Sequence, residues 1–335
     1  MAGRGNRVPT IDLLPFLRGS GSERAAVAAA VSRACQDLGF LIITGCEVPL
    51  EVVREAHSAA YEFFALPEAE KNEIVIGRYS RLNGFIGIRA STLAYLGEGE
   101  PEPGPQTELR QSLHFGPFDF PRDEYYVGAL GQRYFQPNPW PRKPARLESA
   151  LCAYYRAMER LAGHLMRIMA LALGLAENYF DDKTDKCFSH LLINNYPQQR
   201  TPPGANETRA SAHTDFDSFT ILHLGDDPEG LEVLDRDGVW RPVDCPYDAF
   251  VVNLGDMMAR WTNDRWVSTM HRVVNPPPSR AASSWRQSLV FFHQPNYDAL
   301  VECIPSCRIA GAPPKYPPIT CGDYYDQQMA KILSA

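Results

Sequence analysis

Short apolar runs, separated by turn-forming residues, dominate the chain after Phe188. Separators such as Asp237-Gly238 combine residue types that favour tight turns. Apolar runs bounded by turn signals predict strands, and seven or eight of them in succession favour a sandwich or a barrel. The predicted strands lie within SHLLINNY, SFTILHL, GLEVL, GVWRPV, AFVVNLGD, MHRVV and RQSLVFF.

The first half of the chain shows helical periodicity instead. Ser20 and Glu23 match a capping box ahead of an amphipathic helix, which Gly39 should end. The other predicted elements are short strands at 8–16 and 40–44, a helix between Pro49 and Pro67, and a long helix over 145–173. No clean linker separates the two halves, so we expect a mainly β protein with α, built as one barrel wrapped by N-terminal helices.

One internal stretch has the composition of neither a helix nor a strand. Residues 97–106, GEGEPEPGPQ, consist largely of Gly, Pro and Glu. Such a segment inside a domain is either a mobile cover over a site or a disordered connector.

Composition and charge narrow the class of protein. Of the 335 residues, 44% are hydrophobic and 22% are charged, which is typical of a globular chain with a core. A formal net charge of -7 argues against nucleic acid or an anionic membrane as partner, since both favour a basic face. No membrane-spanning run or signal peptide is visible, and the eight cysteines form no CxxC pair. We expect a cytoplasmic protein with reduced thiols, and the sequence predicts no obligate protein partner.

The stretch AHTDFDSF contains the first candidate metal ligands. If it forms a strand, His213 and Asp215 lie two positions apart and point to the same face. His271, in the β-branched run STMHRVV, is the candidate for a third ligand. Two imidazoles and one carboxylate are the ligand set that leaves adjacent positions open on a ferrous ion. We therefore interpret these residues as a metal site.

Other interpretations of these histidines remain open from the sequence. An HxD pair in a strand is also compatible with a simple hydrogen bond. His223, in an apolar run, and His293, late in a strand, are rival histidines. Asp217 is interpreted as a turn residue before Ser218, not as a fourth ligand.

The run WRQSLVFF carries a candidate anion site. Arg286 and Ser288 lie two positions apart in a predicted strand and therefore share a face. An arginine offers a rigid fork of donors to a carboxylate, and the serine adds another. A guanidinium inside a barrel needs an anion, and a dicarboxylate cosubstrate would supply one. The alternative is an arginine that is exposed or paired with an acidic residue.

Taken together, these motifs resemble the iron(II)- and 2-oxoglutarate-dependent oxygenases, in the branch that includes isopenicillin N synthase and the plant flavonoid and gibberellin oxidases. The family's HxD, distal histidine and RxS occur here in the expected order, and the similarity covers nearly the whole chain. The stretches that carry it are VPTIDL, CQDLGFLIITG, FFALPEAEK, NNYP (194–197), HTD (213–215), NLGDMMARWTNDRWVSTMHRVV (253–274), RQS (286–288) and KYPPITCGDYYDQQM (315–329).

The resemblance implies a fold and a division of the chain. The fold would be a double-stranded β-helix, also called a jelly roll or cupin-like core, flanked by N-terminal helices. Residues 186–300 would form that core, after a helix-rich part over 1–150 and before a C-terminal segment over 301–335. All of these would belong to a single oxygenase domain, 1–335.

The resemblance also implies roles for the candidate residues. The three candidate metal ligands would bind Fe(II). Arg286 and Ser288 would hold the distal carboxylate of 2-oxoglutarate, with Tyr196 adding a hydroxyl contact and Asn194 nearby. Asn195 stands where many plant members have a second tyrosine, so the local shape of this pocket is expected to differ.

The implied reaction is the oxidation of an unactivated C–H bond in a small molecule. Fe(II), 2-oxoglutarate and O2 would act together, with release of succinate and CO2, in hydroxylation, desaturation or cyclisation, and we expect a role in secondary metabolism. An arginine facing the iron would favour an anionic substrate, and an aromatic lining would favour a flat heterocycle, a terpenoid or a polyketide. The substrate-pocket candidates are Arg81, Phe85, Phe219, Leu231, Phe292 and His293.

Two other functions are compatible with the same motifs. An Fe(II) oxidase of the isopenicillin N synthase type has the same ligands and uses the arginine to hold a substrate carboxylate. A jelly-roll protein that binds a ligand without turnover would differ in class, although open iron positions would then serve no purpose. A hydrolase has little support, because neither a GxSxG elbow nor an HExxH helix occurs.

Overall fold

A computed structural model gives the structure of the chain and describes residues 8–77, 83–88, 107–199, 201–204 and 206–334, so the stretch 97–106 lies outside it. The described helices are α1 (Leu14–Arg18), α2 (Gly21–Asp37), α3 (Leu50–Phe64), α4 (Glu68–Lys71), α5 (Glu124–Val127), α6 (Leu147–Ala172), α7 (Asp256–Trp261) and α8 (Cys321–Ser334). None of these helices has the length and apolar character that crossing a bilayer requires. The strands are β1 (Thr10–Asp12), β2 (Phe40–Thr44), β3 (Gly84–Ile86), β4 (Thr107–Glu108), β5 (Gln111–Phe115), β6 (His190–Tyr196), β7 (Glu207–Thr208), β8 (Ala210–His213), β9 (Phe219–His223), β10 (Leu231–Leu234), β11 (Trp240–Pro242), β12 (Phe250–Leu254), β13 (His271–Val273), β14 (Arg286–His293), β15 (Leu300–Val301) and β16 (Ile319–Thr320).

Two sheets form the centre of the protein. The larger has the strand order β1-β2-β12-β9-β14-β6-β5-β3, and the smaller has the order β11-β10-β13-β8. Within them, all neighbouring strands are antiparallel except β1 and β2. Leu222 and Val290 of the larger sheet meet Val233 and Val273 of the smaller one in a shared core. This is a jelly roll, so the predicted mainly β fold is confirmed.

Strand β14 shows how the larger sheet uses its two faces. Leu289 packs in the large core beneath the helices, whereas Val290 packs between the sheets with Phe292 against it. Alternate residues of a strand point to opposite faces. Arg286 and Ser288 therefore point into the interior of the jelly roll, on the same side as Val290.

The helices cover the outer face of the larger sheet. The long helix α6 was predicted over 145–173, and its apolar side packs against α2 and α3. The predicted capping box is confirmed, because the carboxylate of Glu23 accepts a hydrogen bond from the backbone N of Ser20 at 2.7 Å. The chain then turns at Gly39, whose φ of +67° favours glycine. The turn leads directly into β2, which brings the N-terminal segment into the larger sheet.

Two predicted strands end sooner than expected. Strand β1 covers only three residues, and Pro15 lies in the first turn of α1, where its missing N–H removes no helical hydrogen bond. The expectation that one strand carries both His213 and Asp215 is wrong, because β8 ends at His213. The backbone carbonyl of Asp215 accepts a hydrogen bond from the N of Asp256 at 2.7 Å and so leaves the strand ladder.

Candidate active site

One group of three potential metal ligands occurs in the part of the chain that the structure describes, and it consists of His213, Asp215 and His271. Their ligand atoms all lie within 4.8 Å of one another. The Oδ1 atom of Asp215 is 3.6 Å from Nε2 of His213 and 3.8 Å from Nε2 of His271. Two imidazoles and one carboxylate that converge in this way match the facial ligand set of ferrous oxygenases.

Strand pairing and one loop bring the three side chains together. His213 and His271 lie directly opposite each other on the paired strands β8 and β13. Asp215 follows in the loop, which is fastened to the start of α7 by the backbone bond from Asp256. The hydroxyl of Thr214 also donates to the Asp256 carboxylate at 3.1 Å. A loop held by α7, and not a continuous strand, therefore directs the Asp215 carboxylate at the histidines.

Backbone carbonyls fix both imidazoles in the form that binds metal. The Nδ1–H of His213 donates to the carbonyl oxygen of Ser211 at 2.7 Å, and the Nδ1–H of His271 donates to that of Thr269 at 3.1 Å. Because a carbonyl only accepts, the proton of the neutral imidazole lies on Nδ1, and Nε2 then carries the lone pair that binds a metal. Burial, together with the neighbouring His271, lowers the pKa of His213 to about 4. The imidazole of His213 is therefore neutral at neutral pH.

The Asp215 carboxylate is oriented by two donors on its far oxygen. Its Oδ2 accepts from the hydroxyl of Thr220 at 2.5 Å and from Nδ2 of Asn253 at 2.7 Å, which leaves Oδ1 facing the histidines. Burial raises the pKa of Asp215, but the nearby histidines and these two bonds outweigh it and the pKa is lowered. Burial and the Asp215 charge raise the pKa of the neighbouring Asp217, whose Oδ2 lies 3.0 Å from the same Thr220 hydroxyl.

Removing the Thr220 hydroxyl tests this arrangement. We expect Thr220→Val to weaken Fe(II) binding by roughly 10–100-fold, because outer partners that orient a metal ligand contribute about that much affinity. Equilibrium dialysis under anaerobic conditions measures the change. Thr262→Val is the matched control, since the Thr262 hydroxyl is equally buried but donates only to backbone carbonyls of α7. Equal iron affinity in the two variants would contradict the orienting role.

The side chains of the rival histidines His223 and His293 contact residues other than the three candidate metal ligands. The Nε2–H of His223 donates to the carbonyl oxygen of Tyr247 at 2.7 Å, and its Nδ1 is 2.8 Å from Nε2 of His57. Nδ1 of His293 is 2.7 Å from the Ser218 hydroxyl. Neither belongs to the group of three potential ligands.

The candidate cosubstrate residues lie on two neighbouring strands of the larger sheet. Arg286 pairs with Tyr196 and Ser288 pairs with Asn194 across β14 and β6. The guanidinium carbon of Arg286 lies 4.9 Å from the centre of the Tyr196 ring. Arg286 is only 1% exposed, and its Nε and Nη1 atoms have no hydrogen-bond partner among the described residues. A buried cation with unused donors is expected to receive an anion, so these residues fit a carboxylate.

Two further buried arginines lie beside these residues, and sequence reasoning missed both. Arg110 forms an ion pair of 2.8 Å with Glu108, donates to Oδ1 of Asn194 at 2.8 Å, and is hydrogen-bonded to the Tyr196 hydroxyl. Arg209 lies with its guanidinium carbon 5.6 Å from the centre of the Tyr196 ring. Neither ELRQS nor ETRAS has a local pattern that marks its arginine, and only the fold brings them to Tyr196.

The structure separates the candidate substrate residues into two groups. Phe85 and Phe219 pack in the large core beneath the helices, and His293 stacks on Phe219 at 4.6 Å between ring centres. Leu231 of the smaller sheet and Phe292 of the larger one pack between the two sheets, and Thr220, which bonds to Asp215, pairs with Phe292 across β9 and β14. Arg81 lies outside the described residues.

An unassigned histidine lies on the same inner face. His190 of β6, Phe292 of β14 and Thr220 of β9 form one row across three neighbouring strands. His190 is 2% exposed, and neither of its ring nitrogens has a hydrogen-bond partner in the described part of the chain. Its ring stacks with those of His114 and Tyr325 at 5.1 and 5.5 Å. Burial lowers the pKa of His190 well below its usual value, so it offers one neutral donor and one acceptor.

Comparisons with known proteins agree with this geometry. A family profile described as the 2OG-Fe(II) oxygenase superfamily matches residues 187–295, and one described as the N-terminal region of non-haem dioxygenases in morphine synthesis matches residues 8–143. The chain is 35% identical over 320 residues to the 2-oxoglutarate-Fe(II) type oxidoreductase hxnY of Emericella nidulans, covering 94% of this chain and 87% of the relative. It is 29% identical to Validamycin A dioxygenase of Streptomyces hygroscopicus subsp. limoneus, and the match covers 98% of this chain and 87% of the relative.

A solved structure shows the same fold over the whole length. The crystal structure of a full-length Neurospora crassa protein, in complex with alpha-KG and thymine, superposes with a TM-score of 0.83 at 26% identity and covers 98% of each chain. The identity to hxnY, its near-complete coverage and the two family profiles all lead to one assignment. The chain belongs to the 2-oxoglutarate- and iron(II)-dependent oxygenases and is an enzyme that uses Fe(II), 2-oxoglutarate and O2.

Proposed function

We propose that His213, Asp215 and His271 hold the ferrous ion and that Arg286 and Ser288 hold the distal carboxylate of 2-oxoglutarate. This proposal rests on two features that the interior of the jelly roll combines. The interior contains a convergent group of three metal ligands and a buried guanidinium with donors that no described residue uses. Tyr196 and Asn194 complete the cosubstrate pocket as residues that Arg110 fixes in place.

The chain prepares this site and the bound groups supply the reactivity. Iron, 2-oxoglutarate and O2 together provide the oxidising power that breaks a C–H bond, and the cosubstrate leaves as succinate and CO2. The carbonyls of Ser211 and Thr269 keep the imidazoles oriented, and Thr220 and Asn253 do the same for the carboxylate. Arg286 fixes which way the cosubstrate lies, because only one of its carboxylates can reach the guanidinium.

We propose a small molecule with a polar group or polar ring edge as the substrate. It would lie along the row of Thr220, Phe292 and His190, whose outer strands are two strand spacings apart, roughly 10 Å. Phe292 offers an apolar surface there, and His190 offers its donor and acceptor. The Neurospora structure holds thymine, and the Streptomyces relative is named for validamycin A, so polar small molecules recur among similar proteins.

A panel assay tests the substrate proposal. Compounds with polar ring edges, such as pyrimidines, are compared with hydrocarbon rings of similar size, and succinate formation is measured with Fe(II), 2-oxoglutarate and O2 present. We expect only the polar set to raise succinate above the background. His190→Phe should lower that increase by about tenfold or more, because one hydrogen bond to a buried group is lost. His164→Phe, a histidine of α6 on the helix layer, is the control and should change nothing.

The outcomes separate the two parts of the proposal. If iron and 2-oxoglutarate bind but only hydrocarbon rings raise succinate, the substrate class is contradicted and the iron site stands. If neither iron nor 2-oxoglutarate binds, the assignment of the site itself fails.

Two predictions about the whole chain also remain proposals. We propose that residues 1–335 form one domain, and the pairing of β1 and β2 into the same sheet as β14 supports this. We also propose a cytoplasmic location, which the eight free cysteines support because they form no disulfide.

A further inference from the structure

Two buried arginines lie against the same tyrosine, Tyr196, which packs in the core between the two sheets. Arg286 and Arg209 are 1% and 2% exposed. Their guanidinium carbons lie 4.9 and 5.6 Å from the centre of the Tyr196 ring. Burial, together with the like charge of Arg286, lowers the pKa of Arg209 to about 10. Two like charges in one buried space are costly unless an anion joins them.

The charges of the surrounding residues do not balance this pair. Glu108 is already paired with Arg110 at 2.8 Å. Asp227 interacts with Arg209 at longer range but pairs with Arg280 at 3.3 Å. Within the described ranges, neither Arg209 nor Arg286 forms an ion pair. Arg280 also pairs with Glu229, so the acidic residues in these ranges leave a net positive charge around Tyr196, and none of them contacts Arg209 or Arg286 as an ion-pair partner.

The hydrogen-bond donors of the two arginines point to the same conclusion. Arg209 gives one N–H to the carbonyl oxygen of Ser284, while its Nε has no partner among the residues described. Arg286 has two such nitrogens, Nε and Nη1. These three buried nitrogens carry four N–H groups and are expected to receive a ligand with several acceptor oxygens, which a carboxylate provides in the plane that a guanidinium requires.

The position of Arg209 indicates which anion it receives. Arg286 begins β14 and its strand partner Tyr196 ends β6, whereas Phe292 and His190 lie at the opposite ends of the same two strands. Thr220, which bonds to the Asp215 carboxylate, belongs to the row at those opposite ends. Arg209 therefore lies with the cosubstrate residues and away from the row proposed for the substrate.

We propose that Arg209 is a second cosubstrate-binding arginine, which shares the distal carboxylate of 2-oxoglutarate with Arg286. This inference rests on the proposed cosubstrate site. The two guanidiniums bind the carboxylate from different elements, one before β8 and one at the start of β14. Binding of the dianion then removes a repulsion that exists without it. The pocket therefore discriminates by charge at the distal end of the cosubstrate and not by chain length alone.

A purely structural role for Arg209 makes a different prediction. Its bond to Ser284 holds the segment just before Arg286 and could act only by positioning that strand. If Arg209 only positions the strand, replacing it would weaken the binding of every 2-oxo acid that enters the pocket. If Arg209 contacts the distal carboxylate directly, replacing it would weaken the binding of only those acids that have one.

Calorimetric titration of the Mn(II)-loaded protein without O2 separates these roles, since it measures binding and not turnover. The ligands are 2-oxoglutarate and 2-oxovalerate, which has the same number of carbons but no distal carboxylate. We expect Arg209→Gln to raise the dissociation constant of 2-oxoglutarate about tenfold or more and to leave that of 2-oxovalerate unchanged. Arg209→Lys should show an intermediate loss, because it keeps the charge and loses the fork.

Arg280→Gln is the matched control, because Arg280 is a nearby surface arginine with acidic partners of its own. It should bind both ligands like the unaltered protein. Equal losses for the two ligands in Arg209→Gln and Arg209→Lys, or no loss in either variant, would overturn the proposal. If the unaltered protein binds Mn(II) and 2-oxovalerate as tightly as 2-oxoglutarate, the cosubstrate site itself fails, which is a separate result.

Discussion

Replacing His271 with alanine should abolish Fe(II) binding under conditions where the unaltered protein is saturated. The substitution removes one of three ligands, and Nε2 of His271 lies 3.8 Å from the Asp215 oxygen that would share the ion. Loss of an outer partner alone costs about 10–100-fold in metal affinity, so loss of a ligand should cost more than ~100-fold. Anaerobic dialysis followed by metal analysis measures the affinity, and succinate formation should disappear with it.

The two rival histidines provide the contrast for this experiment. His223→Ala and His293→Ala remove buried imidazoles that bond to Tyr247, His57 and Ser218. We expect both variants to be less stable than the unaltered protein but to retain iron once folded. Iron binding by His271→Ala, together with its loss in either rival variant, would show that the metal site lies elsewhere.

The metal ligands could be predicted because metal chemistry restricts the residue types. Only a few types of side chain bind iron, and His213, Asp215 and His271 occur along the chain in the order that is typical of the family. The reason given for their convergence was wrong in one part, since Asp215 belongs to a loop held by α7 and not to β8. Arg286 and Ser288 could be placed on one face because strand alternation is strict once the strand is correct.

The side of the sheet to which an apolar residue points could not be predicted. Strand β12, FVVNL, is buried along its whole length because helices cover one face of its sheet and the smaller sheet covers the other. Without an exposed face there is no polar alternation to read. Phe85 and Phe219 were therefore grouped with Phe292 in one pocket, although they pack against the helix layer.

The residues that orient the site also could not be predicted from the sequence. Thr220 and Asn253 come from β9 and β12, and Arg110 and Arg209 come from outside the motifs. Each acts through contacts between strands that are distant along the chain. Neither composition nor spacing specifies such contacts, because they depend on the register of neighbouring strands.

Replacing Arg286 with leucine should have opposite effects on cosubstrate binding and on stability. Binding of 2-oxoglutarate should weaken by roughly 100-fold or more, because removing one partner of a buried charge pair costs about 3–5 kcal/mol. The free energy of unfolding without cosubstrate should rise by roughly 1 kcal/mol, since a buried charge without an anion is costly and Arg209 repels it. Calorimetric titration and urea unfolding measure the two quantities.

Arg272→Leu is the control for this pair of effects. Arg272 is also a strand arginine of the jelly roll, but Glu232 already neutralises it at 2.9 Å and it stacks on Trp240. Its replacement should leave 2-oxoglutarate binding unchanged and should not stabilise the protein. A buried residue that serves function at the expense of stability shows both effects together: its replacement makes the protein more stable and weakens the binding of 2-oxoglutarate. If Arg286→Leu lowers stability and leaves 2-oxoglutarate binding intact, the guanidinium serves the fold, and the cosubstrate carboxylate must be held by other residues.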